Sequence, residues 1–280
     1  MRMKKLNKKR LCLYTPPLPH STSMLETIEL AETFGLGGVE LMNFCRELKT
    51  PDIDGAARLF NAAKEKDLYV PCLTVNSDIL ASPDETAETL KKYADICAAL
   101  GIKYLHHTIA KDFHCYDISD IEINRRFEVC IPAVKQVCEY ANSINVSILT
   151  ENQGFVFNGV SNMRRLYERT GGKIGFIADT GNTLFLDEGP EKFIKEFKDN
   201  VYHVHIKDYK IADGDDPDDP IYISRGGMRF TDAEIGTGII PLDRVINTLN
   251  DINYRGMFSL EFNGVKDCEE IKRVLRRITE

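Results

Sequence analysis

Short β-rich runs alternate eight times with longer amphipathic stretches along this 280-residue chain. The expected strands cover 11–15, 38–42, 68–75, 103–107, 146–151, 174–179, 201–207 and 256–262. The helices that follow them cover 23–34, 53–66, 83–100, a long stretch ending near Ser143, 160–169, 189–198, 241–249 and 267–277. Local punctuation agrees. Gly35 stops the first helix, Ser82-Pro83 caps and opens the third, and Gly171-Gly172 turns the chain before the sixth strand. An unbroken strand–helix series of this kind predicts one α/β domain, a single (β/α)8 TIM barrel. A doubly wound sheet would carry a glycine-rich phosphate loop after its first strand, and Thr15-Pro16-Pro17-Leu18-Pro19 cannot form one. Residues 1–10 read as a solvated basic leader, 11–280 as the barrel, and 209–237 as a long loop rich in Asp, Gly and Pro beside the barrel mouth.

Charge and cysteine usage narrow the partners. Net charge is −7, from 36 basic and 43 acidic residues, so no nucleic-acid partner is expected. No stretch approaches the roughly 20 apolar residues of a membrane span. Eight cysteines without a Cys-x-x-Cys pair read as reduced thiols, which places the protein in the cytoplasm. His114 and Cys115 fall in a polar loop and read as surface residues.

The chemistry concentrates at strand ends. In Tyr202-His203-Val204-His205-Ile206-Lys207-Asp208, alternation puts His203, His205 and Lys207 on one face of a strand. Barrel enzymes carry their reacting groups at the carboxyl ends of strands. Strand five ends in Glu151, strand six in Asp179 and strand eight in Glu261. Each acid follows an apolar run, where an unpaired charge is costly. A bound cation offsets that cost; salt bridges to Lys207, Arg225 or Arg229 are the competing assignment. Three carboxylates and one imidazole suit one divalent metal ion, Mn2+ first, with Mg2+, Co2+ or Zn2+ possible. Glu151 and Glu261 sit three steps apart around a ring of eight strands and so face each other. A cation on a ketone oxygen and its neighbouring hydroxyl acidifies the carbon between them, and a glutamate can remove that proton. Return to the opposite face is epimerisation, return to the adjacent carbon is isomerisation, and loss of a β-hydroxyl is dehydration. The residues alone leave the three open.

At Leu149-Thr150-Glu151-Asn152, Ala178-Asp179-Thr180-Gly181-Asn182, His203-Val204-His205-Ile206-Lys207-Asp208 and Glu234-Ile235-Gly236-Thr237-Gly238-Ile239-Ile240-Pro241 with Ser259-Leu260-Glu261, the chain resembles the sugar phosphate isomerase/epimerase family, the xylose isomerase-like TIM barrels. The resemblance runs from Leu11 to Arg277. It implies one divalent metal held by Glu151, Asp179, His205 and Glu261, with Glu151 and Glu261 as the acid/base pair and His203 one layer deeper. Members that epimerise free ketohexoses carry Glu, His and Arg where this chain has Phe157, Asn182 and Ile211, which argues against that substrate. Lys207, Asn182, His107 (the inward member of His106-His107), Arg225 or Arg229, and Glu40 are the expected substrate contacts. Lys207 could instead bridge to Asp179 or Glu151, and Glu40 could instead orient a neighbour. Tyr14, Phe155 and Phe157 are candidate pocket walls. The leading expectation is a metal-dependent isomerase or epimerase of a sugar or sugar derivative, working through an enediolate. A lyase or dehydratase of a keto-sugar or keto-inositol is the runner-up. A non-catalytic sugar-binding barrel, and assembly as a homodimer or homotetramer, complete the expectations.

Overall fold

The computed structural model describes residues 5–14, 23–111, 119–214, 220–262 and 267–279. Its frame is a ring of parallel strands: β1 (Leu11–Tyr14), β2 (Gly38–Val39 continued by Leu41–Met42), β3 (Cys72–Val75), β4 (Tyr104–His107), β5 (Ser147–Glu151), β6 (Ile174–Asp179), β7 (Val201–Ile206) and β8 (Phe258–Glu261). Each is followed by a helix: α1 (Met24–Thr33), α2 (Ile53–Glu65), α3 (Pro83–Leu100), α4 (Asp120–Ser143), α5 (Gly159–Arg169), α6 (Pro190–Glu196), α7 (Leu242–Asp251) and α8 (Cys268–Ile278). The ring closes at β2. Its first half pairs with β1 and its second half with β3, and Glu40 stands at the handover. This is the TIM barrel that the alternation predicts.

Local chemistry sets the helix ends. Pro83 opens α3, and Gly101 closes it in the left-handed conformation (φ +71°) that costs glycine nothing. Asp267 caps α8 by accepting from the Glu270 amide, and Arg276 and Arg277 occupy its last turn, where the helix dipole favours cations. The large core lies between strands and helices, from Leu11 and Leu13 through Val204 and Ile206 to Leu275.

Three local expectations change. Strand three begins at Cys72 rather than 68, with Tyr69 reaching β2 only through an isolated bridge to Gly38. Two residues of the leader are packed on the barrel, while Asn7, Lys8 and Lys9 are exposed. Leu6 is buried and bridges Thr279, and the Arg10 guanidinium donates to the carbonyls of Tyr254 and Gly256 over the Tyr254 and Phe258 rings. Gly37 permits this packing, since a Cβ there would fall 1.9 Å from the Lys9 carbonyl oxygen. The 209–237 loop contains an antiparallel sheet ordered Tyr222–Ile223, Arg229–Asp232, Tyr209–Ile211. Tyr209 and Phe230 from that sheet, with Phe155 and Phe185, form a second, smaller apolar cluster.

Candidate active site

Strand register brings the four acid and imidazole residues together. Asp179 pairs with His205 across β6 and β7, Ser259 pairs with His205 across β7 and β8, and Glu261 follows Ser259 on the same face. One ligand atom each from Glu151, Asp179, His205 and Glu261 lies within 4.8 Å of all the others. His205 Nδ1 is 3.3 Å from Glu151 Oε2 and 3.2 Å from Glu261 Oε2.

The remaining carboxylate atoms are already engaged. Asp179 Oδ1 accepts from the amides of Gly181 (2.9 Å) and Asn182 (2.5 Å). Glu151 Oε1 accepts from the Gln153 amide, and Glu261 Oε1 from Lys207 Nζ at 2.7 Å. Among the buried atoms without a hydrogen-bond partner are Glu151 Oε2, Asp179 Oδ2, Glu261 Oε2 and His205 Nδ1, one from each of the four converging residues. Buried polar atoms are normally satisfied, and the donors gathered here fit a divalent cation. Three oxygens and one nitrogen are the donor set of such an ion.

The electrostatics point the same way. Burial, with Glu261 beside it, pushes the Asp179 carboxyl well above the usual range, and burial raises Glu151. Burial also opposes charge on Glu261, but the Lys207 ammonium and His205 outweigh it and hold that carboxyl low. Burial disfavours charge on His205, yet Glu40 and the two glutamates raise it well above its usual value. The cluster carries more negative charge than its protein surroundings neutralise.

Beneath the cluster lies a polar layer inside the barrel. Glu40 Oε1 meets His203 Nε2 at 2.8 Å and His205 Nε2 at 3.0 Å and accepts from Ser259 Oγ. Glu40 Oε2 accepts from Thr74 Oγ1 at 2.7 Å and Cys72 Sγ at 3.2 Å. Above the cluster opens a pocket of about 360 Å³. Glu151, Glu261, Lys207 and Tyr14 form its floor, with Tyr14 stacked on His205 at 4.5 Å, and Asn76, Thr108, Lys111, Gln153, Tyr209 and Tyr222 complete its lining.

Residues 28–278 match the family described as the xylose isomerase-like TIM barrel. This chain belongs to that family. The L-ribulose-5-phosphate 3-epimerase UlaE of Escherichia coli is 23% identical over 265 residues, which span 90% of this chain and 86% of that one. Among solved structures, the 3-keto-D-glucoside 4-epimerase YcjR of E. coli superposes with a TM-score of 0.69 at 13% identity, covering 95% of this chain and 98% of its own. The probable 3-DHS dehydratase AsbF of Bacillus anthracis gives 0.69 at 18% identity, with 91% and 92% covered. Both likenesses are of fold.

Within this family member, several expected substrate contacts lie elsewhere. Glu40 has no exposed surface, and its carboxylate is fully occupied by the inner layer, so it does not reach the pocket. His106, not His107, faces the barrel interior: its Nδ1 is 3.2 Å from Thr74 Oγ1 and its ring meets His205 edge-on. His107 turns away and donates from Nδ1 to the Thr108 carbonyl. Asn182 is buried, bonds the Tyr209 hydroxyl and is absent from the pocket lining. Arg225 is exposed at a turn tied to the loop after β6, through its amide to Phe185 and through Gly226 and Ser224 to Asp187, and it too is absent from the lining. Phe157 packs against Phe127 in the main core and Phe155 lies in the smaller cluster. Ile211 is exposed on the small sheet. Of the expected contacts, Lys207 lines the pocket, bridged to Glu261 rather than to Asp179 or Glu151. His114 and Cys115 lie outside the described residues.

Gln153 and Tyr209 each stand two residues beyond an expected site residue but past the end of its strand, where the period of two no longer marks a side. Asn76, Thr108 and Lys111 sit in loops, where no periodicity marks them.

Proposed function

We propose that this protein is a divalent-metal-dependent epimerase or isomerase of a ketose or ketose derivative. The carrying observation is the set of four converging atoms without hydrogen-bond partners, two of them on glutamates whose second oxygens have unlike partners. Glu151, Asp179, His205 and Glu261 would hold the ion, with Mn2+ preferred for an oxygen-rich set. A bound divalent ion would polarise a carbonyl and its neighbouring hydroxyl and so acidify the carbon between them.

The chain's own residues do the rest. Lys207 favours the ionised form of Glu261, which suits Glu261 to remove the carbon-bound proton. Glu151, whose second oxygen meets only a neutral amide and whose carboxyl burial raises, suits proton return from the other side. Tyr14 stacks on His205, and Gln153 and Lys207 fix the angle of each carboxylate. A pocket of about 360 Å³ matches the size of small-ligand sites and takes a five- or six-carbon sugar. UlaE, named for a pentulose phosphate, supports the ketose class.

The test is deuterium exchange in D2O with Mn2+ across ketopentoses, ketohexoses and their phosphates. The expected result is exchange at one carbon with product mass otherwise unchanged, and a loss of at least about 100-fold in Glu261→Gln. A product lacking water would instead make the protein a dehydratase. Exchange that persists unchanged in the variant would overturn the acid/base assignment.

A further inference from the structure

Glu40 is the one carboxylate of the inner layer, and nothing in the reaction above uses it. It sits at the handover in β2, wholly enclosed, and receives five donors from three other strands. Two of those donors are imidazole Nε2 atoms directed at the same oxygen. A carboxylate oxygen only accepts, so both nitrogens carry the proton.

We propose that Glu40 is a positioning residue that fixes the tautomer of His205 and thereby gives the metal centre its nitrogen ligand. This rests on the metal reading above. A neutral imidazole has one N–H and one lone pair. With the proton on Nε2 and held by Glu40 at 3.0 Å, the lone pair is on Nδ1, the atom that faces Glu151 and Glu261. The opposite tautomer would aim an N–H at two carboxylates and leave the ion three oxygens alone. The ring is also held in place. Tyr14 stacks on it at 4.5 Å, and the His106 and His203 rings meet it edge-on at 5.5 Å. An anionic acceptor behind a ligating imidazole raises its basicity as well as orienting it.

Glu40, His203 and His205 also meet the geometry of a second cation site. That reading fails on protons: His205 would have to surrender both of its N–H sites to serve two ions.

The deciding measurement is the Mn2+ dissociation constant, from electron paramagnetic resonance of free Mn2+, for the wild type, Glu40→Gln and Thr74→Val. Glu40→Gln should weaken Mn2+ binding by about 10–100-fold. Thr74→Val removes a donor from the far oxygen without touching His205. It should lower the melting temperature while leaving Mn2+ affinity within about threefold, far short of the loss expected when a metal ligand's own partner goes. A folded Glu40→Gln protein that binds Mn2+ as the wild type does overturns the role of Glu40. A wild type that binds no Mn2+ overturns the metal reading itself, and this inference with it. Should Glu40→Gln not fold, 15N NMR of the Zn2+-loaded wild type decides: the His205 proton is expected on Nε2, and a proton on Nδ1 refutes the assignment.

Discussion

At His107 an imidazole is enclosed completely, with one hydrogen bond to the Thr108 carbonyl and no partner for Nε2. Burial lowers its pKa from 6.5 to about 4. The unfolded chain therefore takes up a proton below about pH 6.5 that the folded chain refuses until about pH 4, and stability falls with pH through that window. Above about pH 6.5 the contribution is complete, and below about pH 4 the loss levels off. Between about pH 7 and pH 5 this one residue should cost about 2 kcal/mol of unfolding free energy. Urea unfolding of the wild type and His107→Gln across that range checks it. The variant should show the shallower dependence, and superimposed curves would refute the account. The same residue explains a misreading. In Tyr104–His107 the two histidines are adjacent, so polarity cannot reveal which one faces inward. Only the register of Thr74 with His106 decides it, and register is a property of two strands.

At the scale of elements, the 209–237 segment is the part least legible from sequence. Its aromatic residues at 209, 222 and 230 are spread among Asp, Gly and Pro, which dilutes the period of two that marks a strand. Their partners, Phe155 and Phe185, come from the loops after β5 and β6, so the cluster exists only once the barrel has formed. Asp208 secures the following stretch by accepting from the amides of Tyr209, Gly236, Gly238 and Ile240. A Cβ at Gly238 would fall 2.1 Å from the Tyr209 carbonyl oxygen. Phe230 is fully buried and meets Phe185, Tyr209 and Tyr222 with centroids 5.0–5.6 Å apart. Phe230→Ala should remove about 3–5 kcal/mol of packing. The loss should be local, because this cluster is separate from the main core. Amide exchange should quicken in Tyr209–Ile211 and Arg229–Asp232 and stay slow in β5 and β6, while KM for the substrate rises through the displaced Tyr209 and Tyr222. Uniformly faster exchange would mean that the small sheet is part of the barrel's own cooperative unit.

For the whole molecule, the barrel could be read from sequence because eight strand–helix units each carry their own signal. The convergence of Glu151, Asp179, His205 and Glu261 followed because barrel topology sends every strand end to one rim. The pocket's loop residues and the partner of Lys207 depend on side-chain directions that topology leaves free. The four unpartnered atoms also make a prediction about stability. An ion that binds only the folded state stabilises it by about 2.7 kcal/mol at a hundred times its dissociation constant. For a chain of this size that is a rise of roughly 5 °C in melting temperature. Melting Mn2+-loaded and chelator-dialysed protein side by side checks this, and identical midpoints would refute a metal held by these four residues.

The split in β2 bears on how such a barrel can acquire new substrates. Glu40 stands where the strand passes from one neighbour to the other, so a change there touches ring closure and the inner layer together. Asn76, Lys111 and Tyr222 line the pocket from segments outside the barrel ladder. Variation is therefore cheap at the rim and costly at the seam. A library randomised at 76, 111 and 222 with residue 40 held constant would search substrate space while keeping the scaffold intact.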